Sequence, residues 1–256
     1  MSNPLPSLRG TSQQALYPFT RIISCATGVN TMFNGSERRW VERCPLYNFI
    51  LPMSVLTATD KASWLSFHVE NKGMYNQNCT LTLGSTTYSN LAMMSDDISQ
   101  TNNHSILYDQ EIHLRQTLTP ASYTPPSVGT SFPTFSWGGV AEMPLTQVSS
   151  FLTNVAEQPS GPRYALAYYD GGWTNFPTSY LRSWRISYPL LTDTDQTTLV
   201  NFFLGMQGRY NTFTFTDPLD NTAYTHCRFD MDELQIHYQT KNQSSTEITI
   251  RQTYNS

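Results

Sequence analysis

Leu56-Thr57-Ala58-Thr59-Asp60 and Leu191-Thr192-Asp193-Thr194-Asp195 are one short motif occurring twice, at an offset of 195 − 60 = 135 residues. The same offset places Phe67 on Phe202, Gly73 on Gly208, Tyr75 on Tyr210 and Asn76 on Asn211. Read backwards, it sets Phe49, Leu51, Met53 and Val55 on Trp184, Ile186, Tyr188 and Leu190. One inserted residue raises the offset to 136, which pairs Tyr88 with Tyr224 and residues 111–117 (EIHLRQT) with 247–253 (EITIRQT). A constant offset with a single step is the signature of a tandem duplication, and such repetition outranks local patterns as a guide to fold.

Each copy reads with the same physics. The apolar residues at 49–55 and 184–190 alternate with their neighbours, the period of a strand with one buried face. The Thr/Asp cluster that follows offers side-chain oxygens to the orphan N–H groups of a helix start. In the second copy Leu199, Phe202, Phe203 and Met206 recur at i, i+3, i+4 and i+7, an apolar stripe on a short helix. The first copy keeps Trp64 and Phe67 but carries His68 and Asn71 at the other two places. Gly73 and Gly208 stand where the helix should end in a left-handed turn. A second strand alternates at Phe213 and Phe215 and is turned by Asp217-Pro218, with Cys79, Leu81 and Leu83 serving in the first copy. Leu234, Ile236 and Tyr238 predict a third strand, and Ile248 and Ile250 a fourth. Mostly short links favour antiparallel pairing.

The expected fold is therefore mainly β, with two tandem β-sandwich or open-barrel domains, each with one short flanking helix. The expected limits are 1–117 and 136–256. Between them, residues 118–135 (LTPASYTPPSVGTSFPTF) are rich in proline and read as a semi-stiff connector rather than a packed element. Inside the second domain, Asp170-Gly171-Gly172 between aromatic runs reads as the turn of a β-hairpin.

Composition bounds the function. Charged residues make up 13% of the 256, against an average of about 25%. Hydrophobic content of 39% is still enough to fill a core. Lys+Arg 15 against Asp+Glu 19 gives a net charge of −4, which argues against a basic nucleic-acid-binding surface. No apolar run approaches the roughly 18 residues of a membrane span, so no membrane insertion is expected. The start, Met1-Ser2-Asn3-Pro4-Leu5-Pro6, lacks the basic-then-apolar order of an export signal, and synthesis in the cytoplasm is the expectation. Cys25, Cys44, Cys79 and Cys227 include no Cys-x-x-Cys pair and are expected to be reduced, structural thiols.

Catalytic signatures are not found. The sequence has no Gly-x-Ser-x-Gly, no phosphate-binding Gly-rich loop followed by Lys-Ser/Thr, and no His-Glu-x-x-His. His226-Cys227 is a single pair where a metal site wants three or four ligands. Asp230-Met231-Asp232-Glu233, with Asp217 and Asp220 upstream, is the densest acidic stretch, but its spacing is not that of an EF-hand loop and a solvated turn is the expected reading. Arg115 and Arg251 close each copy as strand-end charges whose stems cover apolar surface. No catalytic residue, metal or cofactor is expected. Tyr168, Tyr169 and Trp173, with Trp137, are the candidate ligand-facing aromatics, a possible sugar-stacking platform.

Asn34-Gly35-Ser36-Glu37-Arg38-Arg39-Trp40, then a strand, Leu-Thr-x-Thr-Asp, a short helix with Phe and a Gly, resembles distal-tail and minor-tail proteins of long-tailed bacteriophages and gene transfer agents. The second copy carries Phe202-Phe203, Gly208-Arg209-Tyr210, Phe213-Thr214-Phe215-Thr216-Asp217-Pro218, Cys227-Arg228-Phe229 and Leu234 in that family's order. The resemblance covers most of 18–117 and 180–253. It implies a duplicated tail-tube-like fold assembling as a ring around the tail lumen, between the tail tube protein on one side and the tail hub protein on the other. It implies a virion location and no catalytic residues. The resembling tubes are sixfold, so two such units per chain admit a trimer with pseudo-sixfold symmetry or a homo-hexamer of two stacked rings. Low charge suits a surface covered by neighbours, and an acidic lumen would let DNA pass without sticking. The alternative is a receptor- or glycan-binding β-sandwich at the particle tip, using the aromatics named above.

Overall fold

The computed structural model describes residues 3–8, 15–31, 37–72, 78–97, 99–104, 107–117, 123–135, 152–159, 180–217 and 221–253. The fold is mainly β, with a large, mostly antiparallel sheet and two helices among the described residues. The chain divides into two compact units, and neither is a continuous stretch. Unit 1 comprises Met1–Ser24, Pro45–Thr124 and Gln235–Ser245; unit 2 comprises Cys25–Cys44, Pro125–Leu234 and Thr246–Ser256. The long strands β2 (Phe19–Thr31) and β3 (Glu37–Leu56) thus give their shared outer end to unit 2. The turn end of β12 (Glu233–Thr240) and β13 (Gln243–Gln252) belongs to unit 1.

Unit 1 is organised around β7 (Leu107–Gln116). Along one edge β3 pairs antiparallel with it, from Asn48↔Arg115 to Leu56↔Tyr108. On the other edge β5 (Thr86–Met93) pairs at Leu91↔Gln116, and β6 (Gln100–His104) follows at Gln100↔Gln110. Beyond β5 lie β4 (Cys79–Leu83) and the short parallel strand β1 (Asn3–Pro4). The period-two reading of β3 holds for Phe49, Leu51 and Met53, which are buried, and fails at Val55, which is exposed: the backbone turns left-handed there, the register with β7 shifts between Met53 and Leu56, and Leu56 takes the buried place. Helix α1 (Ala58–Asn71) closes this core with Trp64 and Phe67, ring centroids 5.7 Å apart. The borrowed segment 235–245 packs by stacking Tyr238 on Phe19 at 4.5 Å.

Unit 2 repeats these registers. Helix α2 (Asp193–Met206) matches α1 at an offset of 135, and each starts with a capping threonine. Thr57 Oγ1 accepts from the Asp60 N–H, and Thr192 Oγ1 from the Asp195 N–H, both at 3.2 Å. The left-handed residue ending each helix is Lys72 or Gln207, one position before the expected glycine, with Gly208 left-handed as well. Strands β10 (Phe213–Thr216) and β11 (Ala223–Phe229) pair as β4 and β5 do, and β11 meets β13 at Cys227↔Gln252 just as Leu91 meets Gln116. Strand β9 (Tyr180–Leu191) lines β13, and β8 (Leu152–Pro159) lies outside it.

The proline-rich stretch differs from expectation. Residues 125–135 are not a spacer; they are an arm of unit 2. Phe132 N–H donates to the Thr214 carbonyl at 2.8 Å, as Leu5 N–H donates to Thr80 at 3.0 Å. Ser131 bridges Thr214 in parallel, as Pro4 does Thr80. Phe132 meets Phe202 and Phe215 at 5.4 and 5.6 Å, and Phe135 is buried as Leu8 is. The reason is in the side chains: Leu5-Pro6-Ser7-Leu8 and Phe132-Pro133-Thr134-Phe135 share one pattern, in which two apolar residues hold a proline-stiffened strand on the core.

Two expectations follow. Phe135→Ala should destabilise the protein by about 3–5 kcal/mol, as for a buried ring and not for a linker residue. Thr57→Ala and Thr192→Ala should each cost about 1 kcal/mol. Denaturant unfolding of the three variants measures both.

Candidate functional site

The end of each helix faces the loop that follows β5 or β11. In unit 2, Gln207 and Gly208 turn the chain and deliver Arg209 to Asp230 and Asp232, at 3.2 and 3.9 Å. Arg251 adds a second cation 3.7 Å from Asp230. The acidic stretch is therefore ion-paired and half-buried, and not the solvated turn expected from the sequence. Cys25 N–H donates to the Asp232 carbonyl at 2.7 Å, and Arg39 to the Arg209 carbonyl at 3.1 Å. A Cβ on Gly208 would touch Cys25, so glycine serves a close approach here as well as a turn.

That approach brings a second correction. Cys25 and Cys44 form a disulfide across β2 and β3, their Cα atoms 4.2 Å apart. Two facing strand residues satisfy the reach of a cystine, whereas the sequence alone does not say that these two face each other. Cys79 and Cys227 are free and buried. Burial pushes their thiols up, Cys79 to about 11 and Cys227 to about 12. Both stay neutral at physiological pH and make poor nucleophiles.

Arginine–tyrosine pairs stand in both units. Tyr88 receives a hydrogen bond from Arg21 at 2.9 Å, and Arg21 also lies over the Tyr238 ring. Tyr224, the matching residue at offset 136, is met by Arg182 through its hydroxyl and its ring face. The two arginines come from different strands, β2 and β9. Asp217 is buried, accepting from Trp184 Nε1 at 2.9 Å with Arg182 at 3.7 Å, so this expected turn acid braces a core tryptophan. Among the described residues no three His, Cys, Asp or Glu side chains group as a metal site.

Tyr168, Tyr169, Trp173 and Trp137 lie outside the described residues. The feature that sequence reasoning missed is an apolar face on α1. Leu65 is 49% and Val69 66% exposed, one turn apart, with Met94 exposed at 43%. Their counterparts Val200 and Leu204 on α2 are buried. Both pairs are apolar at an offset of 135, a signal hidden by reading only the stripe of Trp64 and Phe67. Between them His68 donates from Nε2 to the Asp96 carbonyl at 2.7 Å, while its Nδ1 is buried without a partner.

The chain matches no model of a known protein family, and no curated protein is significantly similar to it. No helix among the described residues is long and apolar enough to cross a membrane.

The thiol assignments are directly measurable. In native protein at pH 8 a small disulfide reagent should modify neither Cys79 nor Cys227, and denaturation should expose two thiols rather than four. Four titratable thiols in denaturant without reductant would contradict the Cys25–Cys44 bond.

Proposed function

We propose that the chain is a structural virion protein of a phage-type tail tip, a duplicated tail-tube-like subunit that forms a ring around the lumen. In this reading it joins the tail tube to the distal hub and carries out no catalysis. One observation carries it: two units with the same strand registers, each drawing a β-hairpin end from the strands of the other. Units that complete one another through extended hairpins suit assemblies in which each subunit is finished by its neighbour. Ring closure needs such heterologous contacts.

Other features support the same reading. The net charge of −4, repeated around a ring, makes an acidic assembly that DNA phosphates would not adhere to. The Cys25–Cys44 disulfide suits a particle that ends up in oxidising surroundings. The ion pairs and buried hydrogen bonds of unit 2 fix backbone loops to one another, which is a holding role.

Electron micrographs of the purified protein, or of the parent particle with the protein labelled, should show a ring at the distal end of the tail. Its mass would separate three chains from six. A protein that remains a single chain inside its native particle would overturn the proposal. In a mobility-shift assay at 150 mM salt, duplex DNA should not be retarded.

A further inference from the structure

Arginine meets tyrosine in both units, but the two cations are not equally neutralised. In unit 2, Arg182 bonds the Tyr224 hydroxyl, and the buried carboxylate of Asp217 lies 3.7 Å away. Asp217 is itself fixed by Trp184 Nε1 at 2.9 Å. Unit 1 lacks that acceptor. Leu81 faces Tyr88 as Phe215 faces Tyr224, so β4 and β10 correspond at an offset of 215 − 81 = 134, and Asp217 falls on Leu83. The place of Trp184 is taken by Phe49, at the offset of 135. Acid and donor are both apolar here, yet an arginine still stands on the tyrosine, Arg21 from β2.

What surrounds Arg21 is a set of donors. Its Nη1 donates to Tyr88 Oη at 2.9 Å, and the guanidinium lies 5.4 Å from the centre of the Tyr238 ring. Arg21 Nε is buried and makes no hydrogen bond, and the same is true of the Tyr123 hydroxyl. Tyr47 packs edge-on against Tyr88, ring centroids 4.9 Å apart, and lies within electrostatic reach of Tyr88, Arg21 and Tyr123. Burial pushes Tyr47 up to about 12 and raises Tyr123, so both phenols keep their protons at physiological pH. Tyr88, which accepts from Arg21, still has its own proton to give. Among the described residues no carboxylate pairs with Arg21. Buried donors without an acceptor are costly, and one anion with two oxygens serves a guanidinium and several hydroxyls at once. Arg21, Tyr47 and Tyr123 are each only half-buried, so a solute can reach them.

We propose that the cluster of Arg21, Tyr47, Tyr88 and Tyr123 is a carboxylate-binding site, in which an external carboxylate takes the part that Asp217 plays for Arg182. Its two oxygens match the planar fork of a guanidinium and leave lone pairs for the hydroxyls. All four residues belong to unit 1, and the site stands whether or not the chain forms a ring. The carboxylate comes either from a free small acid or from an acidic side chain of another copy, and the experiment separates the two.

The probe is sodium acetate on the full-length protein, with sodium chloride at equal ionic strength as the reference. Acetate should raise the melting temperature above the chloride value, and saturation transfer should reach its methyl protons from the protein. Arg21→Met should abolish both effects, and Arg21→Lys, which keeps the charge without the fork, should weaken them. Tyr123→Phe removes only a hydroxyl that bonds nothing in the protein. That variant should melt no lower than wild type in chloride and yet bind acetate about tenfold more weakly, the loss of one hydrogen bond to a charged group. Saturating acetate that lowers the mass of the assembled protein to one chain's 29.1 kDa would assign the natural carboxylate to another copy, and an unchanged mass would assign a free acid. Acetate that acts no differently from chloride, inorganic phosphate bound in preference to acetate, or a Tyr123→Phe chain that binds as tightly as wild type would overturn the site.

Discussion

Asn90 and His226 hold left-handed backbone, φ 56° and 59°, in the middle of a strand, and the rest of each unit is arranged around that kink. An L-residue there costs on the order of 1 kcal/mol, and Asn and His are among the residues that tolerate it best. The cost is offset locally. The Asn90 carbonyl accepts from both N–H and hydroxyl of Thr117, and the His226 carbonyl from both groups of Thr253. In each unit the kink adds one residue to the strand: Cys79 to Leu81 faces Leu91 to Tyr88, and Phe213 to Phe215 faces Cys227 to Tyr224. The extra residue is a β-bulge, which bends the strand onto a new partner. Past it, Leu91 and Cys227 can join β7 and β13, and the glutamine ending each of those strands accepts from the backbone N–H of Tyr47 or Arg182.

The same bulge explains what could and could not be read from the sequence. Strands β10 and β13 alternate without interruption, as β3 does from Phe49 to Met53, and the apolar residues there were legible as buried faces; Val55, past the shift in β3, was not. In β5 the buried residues are Tyr88, Leu91, Ala92 and Met93, a spacing that matches no regular period because parity changes at Asn90. The helix caps were legible because Thr and Asp act on backbone three residues away. The arm at 125–135 was not, since proline content suggests a spacer and only the packed phenylalanines show otherwise. The disulfide and the exposed α1 face were hidden for a related reason: both depend on which residues meet across long strands, and spacing along one strand does not report that.

The two units keep the backbone devices and vary the side chains. Tyr88 and Tyr224 each take an arginine, from β2 in one case and β9 in the other. What is retained is an arginine on the tyrosine, with either strand able to deliver it. Met94 in unit 1 stands where unit 2 has Asp230, the acid paired with Arg209 and Arg251. An ion pair of that exposure contributes roughly 0–1 kcal/mol, so replacing it by methionine changes stability little while turning a polar rim apolar. The two units thus differ where the helix ends, unit 1 presenting an exposed methionine where unit 2 has an ion-paired acid.

The exposed apolar residues of α1 are worth little as a contact on their own. Full burial of a Leu or Val is worth about 1.5–3 kcal/mol, and about half to two-thirds of each side chain remains to be covered here. A hydrogen bond to His68 Nδ1 adds about 1 kcal/mol. Together they fall short of, or barely match, the 4–15 kcal/mol or so lost when two free bodies become one. A contact made through this face alone is then weak.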